Sequence, residues 1–307
     1  FEDYYKNVEA YVRANSGVLD ERKYTEYSRL ILALTAIGKD PQNVAEYDLL
    51  VPLGDYEKTI WQGINGPIWA LIALDAGNYE IPINKEAETQ ATREKYLNYL
   101  LERQLKDGGW SLTNKGNSDP DITGMVLQAL AKYVDRVEVE KAVDKGLLFL
   151  SKVQNEKAGY SSWGVANFES VVQVLVALCE LGIDFNDNLF VKNGYTLLDN
   201  LMDFQLPDGS FQHSITSEGV NQMATEQALY GLVALKRFRE GKESLFRMDA
   251  KKDLNTLFKD LDKSAYKKEI ERLAQKEIIN GLGDGRFGPN KNMSRAEFTT
   301  IIVKALD

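Results

Sequence analysis

Five apolar helical segments recur along the first 240 residues, and they restrict the fold more than any other feature. They read TEYSRLILAL (25–34), NGPIWALIAL (65–74), DITGMVLQAL (121–130), ESVVQVLVAL (169–178) and EQALYGLVAL (226–235), each ending in Ala-Leu. Each is apolar on nearly all sides, the pattern of a helix buried between a core and a second layer. More amphipathic, charged helical segments alternate with them: 92–105, 139–154 and 194–206. A unit that cannot bury its apolar face alone must stack on its neighbours. The pattern therefore predicts an all-α array of helical hairpins, with an inner and an outer layer, that closes on itself as an α/α toroid over residues 1–250.

The outer segments end in a shared turn signature. Gln104 opens QLKDGGW, Gln154 opens QNEKAGYSSWG and Gln205 opens QLPDGSFQ, at spacings of 50 and 51 residues. Gly supplies the positive φ of a sharp helix exit, Asp starts the turn, and the aromatic packs back on the helix end. A Gln at this place can tie down loose backbone groups of the turn.

Charge and composition exclude several function classes. A net charge of −9 and a pI near 5.0 argue against a nucleic-acid partner, which needs a basic footprint. No run of 18 apolar residues is present, so no membrane span is expected. The chain starts at Phe1 and not Met, which suggests a mature or trimmed fragment. Cys179 is the single cysteine and lies in an apolar helical run, so it reads as a small buried hydrophobe; it leaves no disulfide and no Cys zinc cluster. His213 is the single histidine, and no GxSxG elbow accompanies it.

The turns QLKDGGW and QLPDGSF, each followed by an inner helix, resemble the repeats of the prenyltransferase and squalene-cyclase superfamily over residues 20–240. That resemblance implies the toroid shared by terpene cyclases, protein prenyltransferase β subunits and cobalamin carriers. Class II cyclases protonate an alkene with a DxDD motif; the nearest match is Asp119-Pro120-Asp121-Ile122, in which Ile122 replaces the last acid. Trp61, Trp69, Trp110, Trp163 and Phe211 are candidates for a cation-stabilising lining or for plain core aromatics. The prenyltransferase zinc set would have to use Cys179 and His213, which lack the family's spacing. No metal or cofactor is expected, although the carrier resemblance admits cobalamin.

Counting nine residues back from the last Leu of each inner segment gives Thr25, Asn65, Asp121, Glu169 and Glu226. These polar groups would ring one mouth of a toroid. They act either as helix caps and dipole partners or as a ligand site together with Trp110, Tyr160, Trp163 and Phe211. Asp121, Glu169 and Glu226 are the acid–base candidates if the protein is an enzyme acting on glycan or isoprenoid.

After a charged, aperiodic stretch near 239–257, residues 258–307 resemble an S-layer homology domain in a single copy. The match rests on Phe258-x-Asp260, Ile278-Ile279-Asn280-Gly281, the Gly283-Asp284-Gly285-x-Phe287-x-Pro289 turn, and Ser294-Arg295-Ala296-Glu297. Ser294 and Glu297 form a capping-box pattern, which leaves the Arg295 guanidinium as a fork of donors suited to a carboxylate. The resemblance implies a secreted protein on the cell surface, bound to secondary wall polysaccharide through Asp284, Gly285, Arg295 and Glu297. The low Cys and His content suits an exported protein of a Gram-positive-type wall. The reading as a whole is a wall-anchored protein whose toroid binds a ligand, against the alternatives of an enzyme and a structural scaffold.

Overall fold

The computed structural model describes residues 1–307 except 114, 217–218, 249–257, 262–263, 265, 276–277, 283–284 and 307. It divides into two compact units, Phe1–Met248 and Asp249–Asp307. Both are built from helices, so the protein is all-α as the repeat predicts. The first unit contains α1 (Glu2–Ala14), α2 (Thr25–Ala36), α3 (Tyr56–Ile60), α4 (Asn65–Ala76), α5 (Arg93–Leu101), α6 (Pro120–Leu130), α7 (Val137–Val153), α8 (Phe168–Glu180), α9 (Leu197–Met202) and α10 (Gln222–Arg239). The second contains α11 (Lys267–Gln275) and α12 (Arg295–Leu306).

The five Ala-Leu segments are α2, α4, α6, α8 and α10, and each packs on the next in chain order. The charged helices α5, α7 and α9 pack on α4, α6 and α8 and form the outer layer. Burial follows the sequence: every residue of α8 is buried, whereas α7 alternates buried and exposed positions. The outer helix expected over 194–206 is a single short helix, Leu197–Met202, opened by a capping box between Thr196 and Asp199.

Gln104 and Gln154, two of the three repeated glutamines, act as clamps between hairpins. Gln104 Nε2 donates to the Gly108 carbonyl at 2.8 Å and to the Ala142 carbonyl of α7 at 2.7 Å. Gln154 Nε2 likewise donates to the Ala158 carbonyl at 3.0 Å and to the Phe190 carbonyl at 3.1 Å. One amide thus serves its own turn and the next hairpin. Gly108, at φ +98°, makes the turn, and a Cβ there would also meet the Lys145 carbonyl at 2.7 Å.

Gly124 sets the closest approach between inner helices. A Cβ on it would lie 2.9 Å from the Gln173 carbonyl oxygen of α8, a backbone atom with no freedom to yield. Gly→Ala within a helix normally stabilises by about 1 kcal/mol. Here overpacking, typically about 1–3 kcal/mol, opposes that gain and wins, because α6 and α8 must separate. Urea unfolding of Gly124→Ala is therefore expected to show a net loss of up to about 2 kcal/mol relative to the parent; a more stable variant contradicts the packing.

In the second unit Phe258, Leu261, Ile270 and Ile279 are buried together, with Phe287 at 5.2 Å from Phe258 between ring centroids. Asp260 organises the turn: its Oδ1 accepts from the Phe287 N–H at 2.9 Å and its Oδ2 from the Gly288 N–H at 2.8 Å.

Candidate functional site

Three equivalent turns place the amino ends of α6, α8 and α10. In each, the chain closes after the outer helix by a backbone bond: Leu105 N–H to Gly109 O (2.8 Å), Asn155 to Gly159 (3.0 Å) and Leu206 to Ser210 (2.8 Å). The aromatic that follows is buried, and its carbonyl then accepts from the residue that caps the inner helix. These bonds are Asp119 N–H to Trp110 O (2.8 Å), Asn167 to Tyr160 (3.3 Å) and Asn221 to Phe211 (2.9 Å). The three caps work through their side chains. Asp119 Oδ1 accepts from the N–H groups of Asp121 and Ile122, Asn167 Oδ1 from Ser170, and Asn221 Oδ1 from Ala224.

Asp121 and Glu169 each lie two residues beyond a cap, so neither is the capping residue itself. On α10 the position two beyond the cap is Met223. Glu226 is five beyond it, exposed, and accepts from Gln222 Nε2 at 2.9 Å.

Asp121 and Glu169 form one electrostatic cluster with Asp119, Ser170 and His213. Glu169 is 7% exposed, and its Oε2 meets His213 Nδ1 at 2.7 Å. Asp119 Oδ2 accepts from the Ser162 hydroxyl at 2.5 Å. Two oxygens of the cluster, Asp121 Oδ1 and Glu169 Oε1, are buried without a hydrogen-bond partner among the described residues. Burial, reinforced by the charges of Asp119 and Glu169, pushes the Asp121 carboxyl from 3.8 up to about 6, against a hydrogen bond from Ser170 and the charge of His213. The Ser170 hydroxyl has one proton, and it points to Asn167 Oδ1 at 2.9 Å.

The remaining predicted residues fall into different places. Asn65 stands at the start of α4, its Oδ1 buried without a partner among the described residues. Trp110 is fully buried, and its indole N–H donates to the Leu100 carbonyl at 2.7 Å. Tyr160 is 1% exposed with its hydroxyl unpartnered among the described residues, and Phe211 packs on Phe168 at 4.9 Å. Trp163 is 88% exposed. It sits at φ +53° beside Gly164 at φ +82°, in the two-residue turn of the hairpin Ser161–Ser162 and Val165–Ala166. Cys179 is buried, and burial pushes its thiol up to about 12, so it stays protonated.

In the second unit the Gly285 carbonyl accepts from Lys259 N–H at 2.8 Å, and Asp284 lies outside the described residues. The capping box is formed: Ser294 Oγ accepts from Glu297 N–H (3.2 Å), and Glu297 Oε2 accepts from Ser294 N–H (2.7 Å). Arg295 is exposed. Asp260, visible in the sequence only as part of Phe-x-Asp, is the residue that holds the turn.

Comparison with known proteins agrees with this division. Residues 257–299 match the S-layer homology domain, a module that binds cell-wall polysaccharide, so the chain carries a cell-surface, wall-associating domain. A probable squalene–hopene cyclase of Sinorhizobium fredii is 26% identical over 165 residues, 47% of this chain and 25% of that protein. Endo-1,4-beta-xylanase A of Thermoanaerobacterium saccharolyticum is 42% identical, and an amylopullulanase of Thermoanaerobacterium thermosulfurigenes 40%, each over 50 residues, 16% of this chain. These matches span 4% of the xylanase and 3% of the amylopullulanase, so this chain corresponds to a small part of each relative. No described helix is long and apolar enough to cross a membrane.

The raised carboxyl makes a signed prediction. Below pH 3.8 Asp121 is protonated in both folded and unfolded chains and contributes nothing. As pH rises through about 6 the unfolded chain releases the proton more readily, so stability is lost. Asp121→Asn is expected to raise stability at pH 8 by about 2–3 kcal/mol and to leave it unchanged at pH 3.5. Thermal melts at both pH values check this; equal effects at the two would contradict a raised carboxyl.

Proposed function

We propose that this is a cell-surface protein held to secondary wall polysaccharide through residues 258–307, and that its helical unit, an arc of an α/α toroid, binds a glycan at the amino ends of the inner helices. The single observation that carries the second part is Trp163. A non-glycine residue in the left-handed region costs roughly 1–2 kcal/mol, and type I′ turns favour Asn-Gly over Trp-Gly. Leaving an indole in water forgoes roughly 1.5–3 kcal/mol more of burial. The fold gains nothing visible from either, and such outliers concentrate where a ligand repays them. The hairpin is pinned to the acid cluster by Ser162 and Asp119. An indole face packs against the C–H side of a sugar, while carboxylates of the cluster joined to the hairpin suit its hydroxyl donors.

A second reading follows from the Asp121 carboxyl: burial raises its pKa to about 6, toward the range a general acid needs, and it lies beside a His-paired Glu169. With the cyclase-like match this favours proton transfer to an isoprenoid; Ile122, in place of a supporting acid, weighs against it.

A thermal-shift screen separates these readings with wall oligosaccharides, polyprenyl phosphates and corrinoids as probes. Stabilisation by oligosaccharide that Trp163→Ala abolishes and Asp121→Asn retains supports glycan binding. A shift with polyprenyl phosphate alone, lost in Asp121→Asn, moves the assignment to the second reading. For the anchor, Arg295→Ala is expected to lower co-sedimentation with wall sacculi at least several-fold; unchanged sedimentation on deleting 258–307 overturns it.

A further inference from the structure

Residues 243–248 cross the carboxyl ends of the inner helices, opposite in sense to the acid cluster. The Ser244 hydroxyl donates to Glu180 Oε2 at 2.6 Å and the Phe246 N–H to Glu180 Oε1 at 3.2 Å, so both oxygens of this buried carboxyl on α8 are used. The Phe246 ring stands edge-on to Trp69 of α4, 6.4 Å between centroids, and lies 6.0 Å from Tyr230 of α10. The Met248 N–H donates to the carbonyl of Ala76, the last residue of α4, at 2.7 Å. The Glu243 carbonyl accepts from Arg237 Nε at 2.9 Å. The segment is therefore held by side chain and backbone on three helices, although its sequence is charged and aperiodic.

Helix α10 is the last of the row and the least firmly seated. Its buried positions are Ala224, Ala228, Gly231, Ala234 and Leu235, mostly small side chains that bring little apolar area. Met223, Leu229 and Val233 remain exposed. In stacked helical arrays each element is held only by its neighbours, so an end element opens at lower free energy than the middle. The chain passes from α10 through 243–248 and then, at residue 249, into the second unit.

We propose that residues 243–248 are a clasp that delivers tension from the wall-binding unit to α4 and α8, inside the row, sparing the edge helix α10. This rests on the anchoring reading for the origin of the tension; the clasp contacts themselves do not. Without them, a pull at residue 249 strips α10 from α8 one turn at a time. With them, the pull meets the Phe246 ring, the Glu180 bonds and the Met248–Ala76 bond together, and these must break before the pull reaches the backbone of α10.

The test is force spectroscopy on the full chain, held at residue 307 and at a handle on Lys141→Cys, an exposed site on α7; Cys179 is buried and takes no handle. The parent is expected to release α10 only when the rest of the helical unit gives way. Phe246→Ala is expected to add an early low-force step that frees residues 222–248, at about 3.4 Å of extension per residue. Ser244→Ala, a milder change, is expected to show the same step at an intermediate force. Circular dichroism of all three establishes that the helices are formed. An early α10 step in the parent, or unchanged force traces in both variants, overturns the clasp. Because the pull is applied directly, loss of sacculus binding with these force results intact would remove the anchoring reading and leave the clasp standing.

Discussion

The backbone bond between each turn aromatic and the residue that caps the next inner helix is the constraint from which the site follows. The Trp110, Tyr160 and Phe211 carbonyls fix Asp119, Asn167 and Asn221 in extended conformations, and each cap then turns its side chain onto the first helical N–H groups. A buried aromatic at one end of the bond cannot shift without opening the core. The cap at the other end decides which residues come next on the inner helix. The Gln104 and Gln154 amides complete the arrangement by tying their own turns to the following hairpin, one donor group reaching two carbonyls.

Two opposed effects act on the carboxyls placed in this way. Near a helix amino end the dipole favours an ionised acid by about 0.3–1 kcal/mol. Burial beside other carboxyls disfavours it, and for Asp121 the net movement to about 6 corresponds to roughly 3 kcal/mol. Burial therefore wins at Asp121. Glu169 meets the same burial with an imidazole at 2.7 Å. The Asp121 carboxyl is thus pushed toward its neutral form while Glu169 has an imidazole partner, a difference in environment that equal sequence positions on α6 and α8 do not disclose.

Much of the architecture was legible because it rests on local chemistry. Ala-Leu helices, Gln-x-x-Asp-Gly turns and the Ser294–Glu297 capping box all signal within a few residues, and the S-layer homology turn is dense in such signals. The site was less so. Counting back from the last Leu aligned Glu226 with Asp121 and Glu169, but α10 starts further from that Leu, so Met223 occupies the equivalent place. The caps were hidden because they follow their aromatics at 9, 7 and 10 residues, a variable loop with no fixed spacing to detect. His213 meets Glu169 across 44 positions, and the bond depends on a loop after the third turn. The clasp carries no periodicity at all; its only sequence trace is Phe246 within charged surroundings.

The most direct measurement of the central claim uses the four tryptophans as reporters. Indole N–H resonances of the full chain would be followed while a wall oligosaccharide is added. The Trp163 signal should move in a saturable way, while that of Trp110, buried and bonded to the Leu100 carbonyl, should stay in place. An unmoved Trp163 at saturating oligosaccharide, with the chain still bound to sacculi through its second unit, would contradict a glycan site at the amino ends of the inner helices.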